Sequence, residues 1–470
     1  MPSADPSTDL VLCVDFGSTF TKAALVDAAA GRLLGSSQHP TTLPGTHGRG
    51  DVLDGYDACV EALAAEHPGA RRAQVLACSS AGGGLRIAVV GNEELVTAEA
   101  GRRVALSSGG KVVLVLAGGL DRDKLGTLRA AEPDVLLLVG GTDGGNSEQL
   151  VADADVLAGV AWTGPVVVAG DVEAQGDVAS RLQASGTPHV LADNVVPRIG
   201  VLAPESARQA IREMFLAHVI GGKHLSSRGD AFERLVLGAT PDVVLAGVEL
   251  LAERLGDTVV VDVGGATTDV HSVVTLDPET SGLGGNGLAR DVVAPTPVTR
   301  TVEGDLGMRW SAVTTVAAAR EAGLAVDGLE AAADRRTAEP AFLPGNAAER
   351  AEDEAIATAA VVLALRRHAG RSRVVVGPGG KVVERTGKDL REVDVLVGSG
   401  GVLRTAPAAV SDRILRAGTG PQPEGWQLPE DPRVVVDADY VLAAVGLLAL
   451  ARPEAASRFV DSLSGWRGNR

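Results

Sequence analysis

The sequence predicts an α/β fold made of two related halves that hold a nucleotide between them. Two segments carry this prediction. Near the N-terminus the apolar run LVLCV leads into DFGSTFTK, Asp15 to Lys22, and much later VVVDVGGATTDVHSV repeats the design around Asp262. Each time an apolar strand ends in an acid, then a glycine turn, then small hydroxyl residues, then a second apolar strand. The third observation is size. A chain of 470 residues, 45% hydrophobic, is more than one core normally serves.

Chemistry explains the residue types. Glycines let backbone N–H groups approach phosphate oxygens, and Ser or Thr hydroxyls add donors. An acid at a strand tip suits Mg²⁺, usually held through water because that ion gives up its hydration shell reluctantly. The plain alternative is two ordinary β-hairpins, and the matching acids weigh against it.

Composition narrows the classes. The formal net charge is −17, which argues against a nucleic-acid backbone as the main ligand. Cys13, Cys59 and Cys78 show no CxxC spacing and read as reduced, buried thiols of a cytoplasmic protein. The start, MPSADPSTDL, lacks the basic and apolar regions of a signal peptide. YVLAAVGLLALA is too short to span a bilayer and reads as a buried helix. No GxxxxGK[ST], GxSxG, HExxH or HxxxH pattern occurs, which removes P-loop proteins, the usual serine hydrolases and simple zinc sites. GLGGNG at Gly282 to Gly287 follows a polar loop, so it is not read as a dinucleotide fingerprint. His271 sits in D-x-H-x-x-V, short of the D-x-H-x-x-G used to hold cobalamin.

Along the chain, residues 1–9 read as a disordered leader. LVLCVDFGSTFTKAALVDAAAGRLLGSS reads as three strands, and DVLDGYDACVEALAAEH has helical spacing. AQVLACSSAGGGLRIAVVGN reads as two strands around a glycine turn, and EELVTAEAGRRVALSSG as a helix ending at glycine. Three strand–helix units and a closing strand, HVLADN, predict a parallel sheet with right-handed crossovers, an elaboration at about 110–195. Helices then lead to the second hairpin. A glycine-rich loop, LDPETSGLGGNGLARD, follows it, then further helices, glycine-turn strands and the closing helix DYVLAAVGLLALA.

These segments resemble the superfamily of actin, the sugar kinases and the heat-shock chaperone ATPases. The first phosphate motif resembles DFGSTFTK, and the second resembles DVGGATTDV, Asp262 to Val270. The adenosine motif resembles VDVLVGSGGVLR, with Gly398, Ser399, Gly400 and Gly401. The second connecting helix resembles DADYVLAAVGLLA, with Asp439 and Gly446; the first connecting helix is not placed. The resemblance implies a two-lobed actin-like ATPase of duplicated ribonuclease H-like domains, with an inserted α/β subdomain. The lobes would be 10–255 and 256–455, with 456–470 a tail.

A narrower resemblance rests on DFGSTFTKAALVD, VGGTDGGN, DNVVPRIGVLAPESARQAIREMFLAHVI and TRTVEGDLGMRWSA. Together they look like the glutamate mutase accessory family called MutL or GlmL, which is unrelated to the mismatch-repair protein of the first name. The resemblance implies a chaperone or reactivating factor for an adenosylcobalamin-dependent mutase, using ATP and Mg²⁺. Gly17, Ser18 and Thr19 would line one side of the phosphates, and Gly264, Gly265, Thr267 and Thr268 the other. Asp15 and Asp262 would face the metal, with Asp262 orienting the attacking water. Lys22 either reaches the phosphates or ends in solvent, and Asp269 is either a metal contact or a strand-end acid. Gly400 and Gly401 would let adenine lie against the backbone. VGGTDGGN, with Asp143, reads as an anion-binding turn, a crossover turn or a contact surface. Glu303 and Asp305 are expected in a loop, as metal or partner contacts or neither. A small-molecule kinase of the same fold, or an assembly protein with little turnover, are the alternatives.

Overall fold

The computed structural model describes residues 9–43, 50–81, 85–275, 296–377, 380–421, 424–463 and 466. The expected leader, except Asp9, and the whole glycine-rich loop LDPETSGLGGNGLARD after the second hairpin lie outside them.

The first sheet begins as a meander. Leu10–Phe16 (β1), Phe20–Asp27 (β2) and Arg32–Pro40 (β3) pair antiparallel in chain order. Helix Val52–Glu66 (α1) starts at Asp51, whose carboxylate accepts the Leu53 N–H while Asp54 reaches back to the Asp51 N–H. Gln74–Ser79 (β4) then pairs parallel with β1.

The two strands expected around the next glycine turn both form, yet they enter different sheets. Leu85–Gly91 (β5) opens a sheet of its own. A π-turn at Glu94–Ala98 runs into Glu99–Ser107 (α2). Strands Gly110–Ala117 (β6), Val135–Leu138 (β7), Val166–Val168 (β8) and His189–Leu191 (β9) then alternate with Arg122–Ala130 (α3), Glu148–Gly159 (α4) and Gln175–Ala184 (α5). All pairs are parallel, in the order β6-β5-β7-β8-β9. Counted along the chain this is 2-1-3-4-5, a doubly wound sheet. The elaboration therefore begins at Leu85, not near 110, because β5 is its first strand.

Glu205–Met214 (α6) leads to Val236–Ala239 (β10), which completes the first sheet as β10-β4-β1-β2-β3. Thr240–Leu255 (α7) then leads to a second meander of Thr258–Val263 (β11), Thr268–Val273 (β12) and Val298–Glu303 (β13). Ala312–Glu321 (α8), Glu330–Ala338 (α9) and Ala347–His368 (α10) follow. Arg371–Gly377 (β14) and Gly380–Thr386 (β15) form a two-stranded sheet, and Arg371 also bridges to Trp426. Val395–Ser399 (β16) joins β11 in parallel. After Gly401–Thr405 (α11) and Ala408–Arg416 (α12), Arg433–Val436 (β17) joins β16. The order is β13-β12-β11-β16-β17.

Counted along the chain, both sheets read 3-2-1-4-5, with three antiparallel strands followed by two parallel ones. This is the ribonuclease H-like order, present twice, and it gives the chain the actin-like fold.

Leu442–Ala451 (α13) and Pro453–Ser462 (α14) close the chain. The expected tail at 456–470 thus begins inside a helix, anchored because Phe459 and Val460 are buried. The chain divides into two compact units. Of the described residues, one takes those up to Ala246, Thr296 and Gly446–Arg458; the other takes those from Gly247 to Thr275, Pro297–Val445 and those from Phe459. In the first, Leu12, Val14, Phe16 and Leu25 pack with Leu53, Cys59 and Leu63 of α1. In the second, Val259, Val261, Val263 and Leu396 pack with Ile356, Ala360 and Leu363 of α10. Each such aliphatic side chain contributes roughly 1.5–3 kcal/mol when fully buried. These cores fix the strands whose ends carry the candidate site. Cys13, Cys59 and Cys78 are free thiols buried in the first unit, and burial pushes the Cys13 thiol up to about 12. No helix among the described residues is long and apolar enough to cross a membrane.

Candidate phosphate-binding site

The two hairpins share their construction residue for residue. In the first, the Gly17 N–H donates to the Phe20 carbonyl at 3.1 Å; in the second, the Gly264 N–H donates to the Thr267 carbonyl at 2.9 Å. A Cβ on either glycine would strike that same carbonyl, at 2.6 and 2.9 Å, so neither turn tolerates a side chain. Each glycine lies two residues past the strand-end acid, Asp15 or Asp262. The residue directly opposite the acid on the next strand is Lys22 in one hairpin and Asp269 in the other.

In the first hairpin Ser18 and Thr19 are exposed at the tip. Thr41 braces the turn from behind: its hydroxyl donates to the Gly17 carbonyl at 2.8 Å and its N–H to the Thr19 carbonyl at 2.9 Å. Asp15 is 3% exposed. One of its oxygens accepts the Thr240 hydroxyl at 2.6 Å and the Cys78 thiol at 3.7 Å; the other lies 3.8 Å from the Lys22 ammonium. Lys22 thus faces the strand-end acid, and Thr240, at the start of α7, is a site residue that sequence reasoning missed. No local signal could find it, since it lies 225 residues from Asp15.

In the second hairpin Asp262 is partly exposed, as are Gly264, Gly265 and Thr267 at the turn. Thr268 is fully buried and its hydroxyl has no hydrogen-bond partner among the described residues. The following segment clamps the turn. Met308 and Arg309 N–H groups donate to the Gly264 and Gly265 carbonyls at 3.0 and 2.8 Å, and the Ser311 hydroxyl donates to Ala266 O at 2.6 Å. Glu303 is not in a loop: it ends β13. Glu303 and Asp305 both bind the Arg367 guanidinium of α10, at 2.8 and 2.6 Å. That pairing holds Asp305 below the ordinary carboxylate range, while burial raises Glu303. Both acids are therefore tied to α10. His271 is buried in β12, and burial pushes its pKa well below the usual value, so it stays neutral.

Ser399 ends β16 beside Asp262. Gly400 has φ +102°, and a Cβ there would lie 2.2 Å from the Val263 carbonyl, so only glycine lets the chain leave β16 against the hairpin strand. Gly398 faces Leu415 and Leu403, a packing position, whereas nothing crowds Gly401. Gly446 of α13 packs on Val243 of α7.

The VGGTDGGN turn joins β7 to α4. Its Asp143 accepts the Val172 N–H at 3.3 Å and the Asn194 amide at 2.9 Å, and Asp171 accepts the Gly144 N–H at 3.1 Å. One oxygen of this exposed acid thus joins the turn to the neighbouring loops.

Two 3-2-1-4-5 sheets, each ending its first strand in an acid and a glycine turn, define the class: two-lobed proteins of the actin-like fold. Within that class the chain belongs to the MutL protein family, whose pattern matches residues 11–463. It is 34% identical to Protein MutL of Clostridium tetanomorphum over 468 residues, covering 96% of this chain and 98% of that one. Among solved structures, a nucleotide-free acetone carboxylase aligns at 14% identity and TM-score 0.38, covering 94% of this chain and 70% of the other. A glycerol dehydratase reactivase aligns at 13% identity and TM-score 0.34, covering 94% and 100%. Both likenesses are loose.

Proposed function

We propose that the protein binds Mg-ATP and hydrolyses it, acting in the cytoplasm as a chaperone or reactivating factor for an adenosylcobalamin-dependent mutase such as glutamate mutase. The observation that carries this reading is the duplicated hairpin: two acid-tipped glycine turns of one design, at the same place in two sheets of one order. Membership of the MutL family supports the choice of partner.

The donor set fits a polyphosphate. Ser18 and Thr19 offer exposed hydroxyls, whereas the buried Thr268 shares the core face of Val270 rather than the face of Asp262. Among the described residues no three His, Cys, Asp or Glu side chains gather as a ready cation site. Single carboxylates suit Mg²⁺, which keeps several waters and takes its remaining ligands from phosphates. Bound ATP supplies the phosphoryl group that passes to water. The residues would do the positioning: each turn would offer backbone N–H groups to phosphate oxygens, Asp15 and Asp262 would hold Mg²⁺ through water, and Asp262 would orient the attacking water. Gly398, Ser399, Gly400 and Gly401 would form the adenosine side; nothing crowds Gly401, while Gly398 packs on Leu415 and Leu403.

The test uses full-length protein and ATP labelled on its γ-phosphate, with and without purified glutamate mutase. The expected product is free phosphate, released faster when the mutase is present. Label on a small metabolite would indicate a kinase instead. Absence of ATP binding by calorimetry would remove the reading.

A further inference from the structure

A buried arginine stands beside the second hairpin. Arg300, on β13, is 3% exposed. Its Nη2 donates to Asp269 at 3.0 Å, but Nε and Nη1 have no partner among the described residues. Two neighbouring polar atoms share that condition, the second carboxylate oxygen of Asp269 and Nδ1 of His271. The register places these groups together. Arg300 is opposite His271, and Asp269, two residues along β12, is opposite Asp262. All four therefore lie on one face of the sheet. Directly opposite residues have Cβ atoms about 4.5–5.5 Å apart, so the guanidinium paired with Asp269 lies close to the strand-end acid.

Leaving charged donors buried and unpaired is costly, more so than for neutral groups. One carboxylate oxygen satisfies only part of a guanidinium's five N–H groups. The donors left over, Nε and Nη1, lie on opposite edges of the guanidinium, and each is a charged donor of the kind that pairs with phosphate oxygens. Comparison of the hairpins points the same way. In the first, the position opposite the acid is a cation, Lys22. In the second it is an acid, Asp269, and the cation arrives from the next strand as Arg300.

We propose that Arg300 reads the terminal phosphate of the bound nucleotide, held in place by Asp269, so that a triphosphate binds in preference to a diphosphate. The proposal rests on the nucleotide reading above. A γ-phosphate oxygen accepts a hydrogen from one of these two edges; no covalent step is involved.

The experiment is calorimetry on the full chain with ADP and with the non-hydrolysable analogue AMPPNP. R300Q weakens AMPPNP by about ten- to hundredfold, the range for losing hydrogen bonds to a charged group, and leaves ADP within about twofold. R300K falls between. Because R300Q leaves Asp269 buried without its partner, the double variant R300Q/D269N, which removes both charges, is measured alongside it, with circular dichroism as the fold control. Variants that fold and keep the wild-type ratio of AMPPNP to ADP affinity would overturn the assignment of Arg300 while leaving the nucleotide site standing. Wild-type protein that binds neither nucleotide would remove the nucleotide reading itself, and this proposal with it.

Discussion

Gly446 of α13 lies so close to Val243 of α7 that a Cβ at position 446 would sit 1.9 Å from the Val243 carbonyl oxygen. Backbone, not a flexible side-chain end, occupies the space. Replacing Gly446 by Ala must push the helices apart or bend them, and overpacking of this kind costs about 1–3 kcal/mol or more. The expected outcome is a lower urea midpoint for G446A with little change in slope, measured by circular dichroism.

Asp262 is only partly exposed but carries no packing burden comparable with that of its valine neighbours. Its replacement by Asn keeps the shape and removes the charge that would hold and orient water. D262N is expected to lose phosphate release by about a hundredfold or more, the scale of a lost proton-handling group. The melting midpoint should stay near that of the wild type. Full turnover in D262N would sink the role given to this acid.

Arg336 of α9 is completely buried. It donates to Asp353 at 2.5 Å, to Glu352 at 3.0 Å and to the Ala332 and Glu349 carbonyls, and the Phe342 ring covers it at 5.1 Å. Removing one partner of such a pair strands the other charge, at about 3–5 kcal/mol. R336A should therefore unfold at much lower denaturant than wild type, whereas R336M/D353L, which removes both charges, should recover part of the loss.

Asp437 is fully buried and accepts the N–H groups of Val441 and Leu442, at 2.8 and 3.3 Å, where α13 begins. Burial is the main cause that raises its carboxyl from 3.8 to about 6. The folded protein thus binds this proton more tightly than the unfolded chain does. The associated stability is present in full below the unfolded value and is lost as pH rises through about 6; a shift of this size corresponds to roughly 3 kcal/mol. Urea titrations across that window should show the decline in wild type and a flatter profile in D437N.

What the sequence revealed followed distance along the chain. The β1–β2 and β11–β12 hairpins were legible because acid, glycine and hydroxyl residues lie within a few positions of one another. The alternating strands and helices up to β9 were legible for the same reason, but the 2-1-3-4-5 order was not, since nothing local tells β5 to leave the sheet of β4. Short strands such as β10 and β17 lack the length to show a period. Thr240 on Asp15, Arg367 on Glu303 and Asp305, and Arg300 on Asp269 are meetings made by the fold; each residue alone looks like an ordinary polar position.

The three sealed thiols have a practical consequence. A thiolate must form and be reached before an alkylating reagent can act, and Cys13, Cys59 and Cys78 are all withdrawn from water with their acidity suppressed. Labelling of the native chain then reports only its opening, so the molecule carries a built-in gauge of its own unfolding. A single cysteine added at the surface would take a spectroscopic tag without competition from the three it already has.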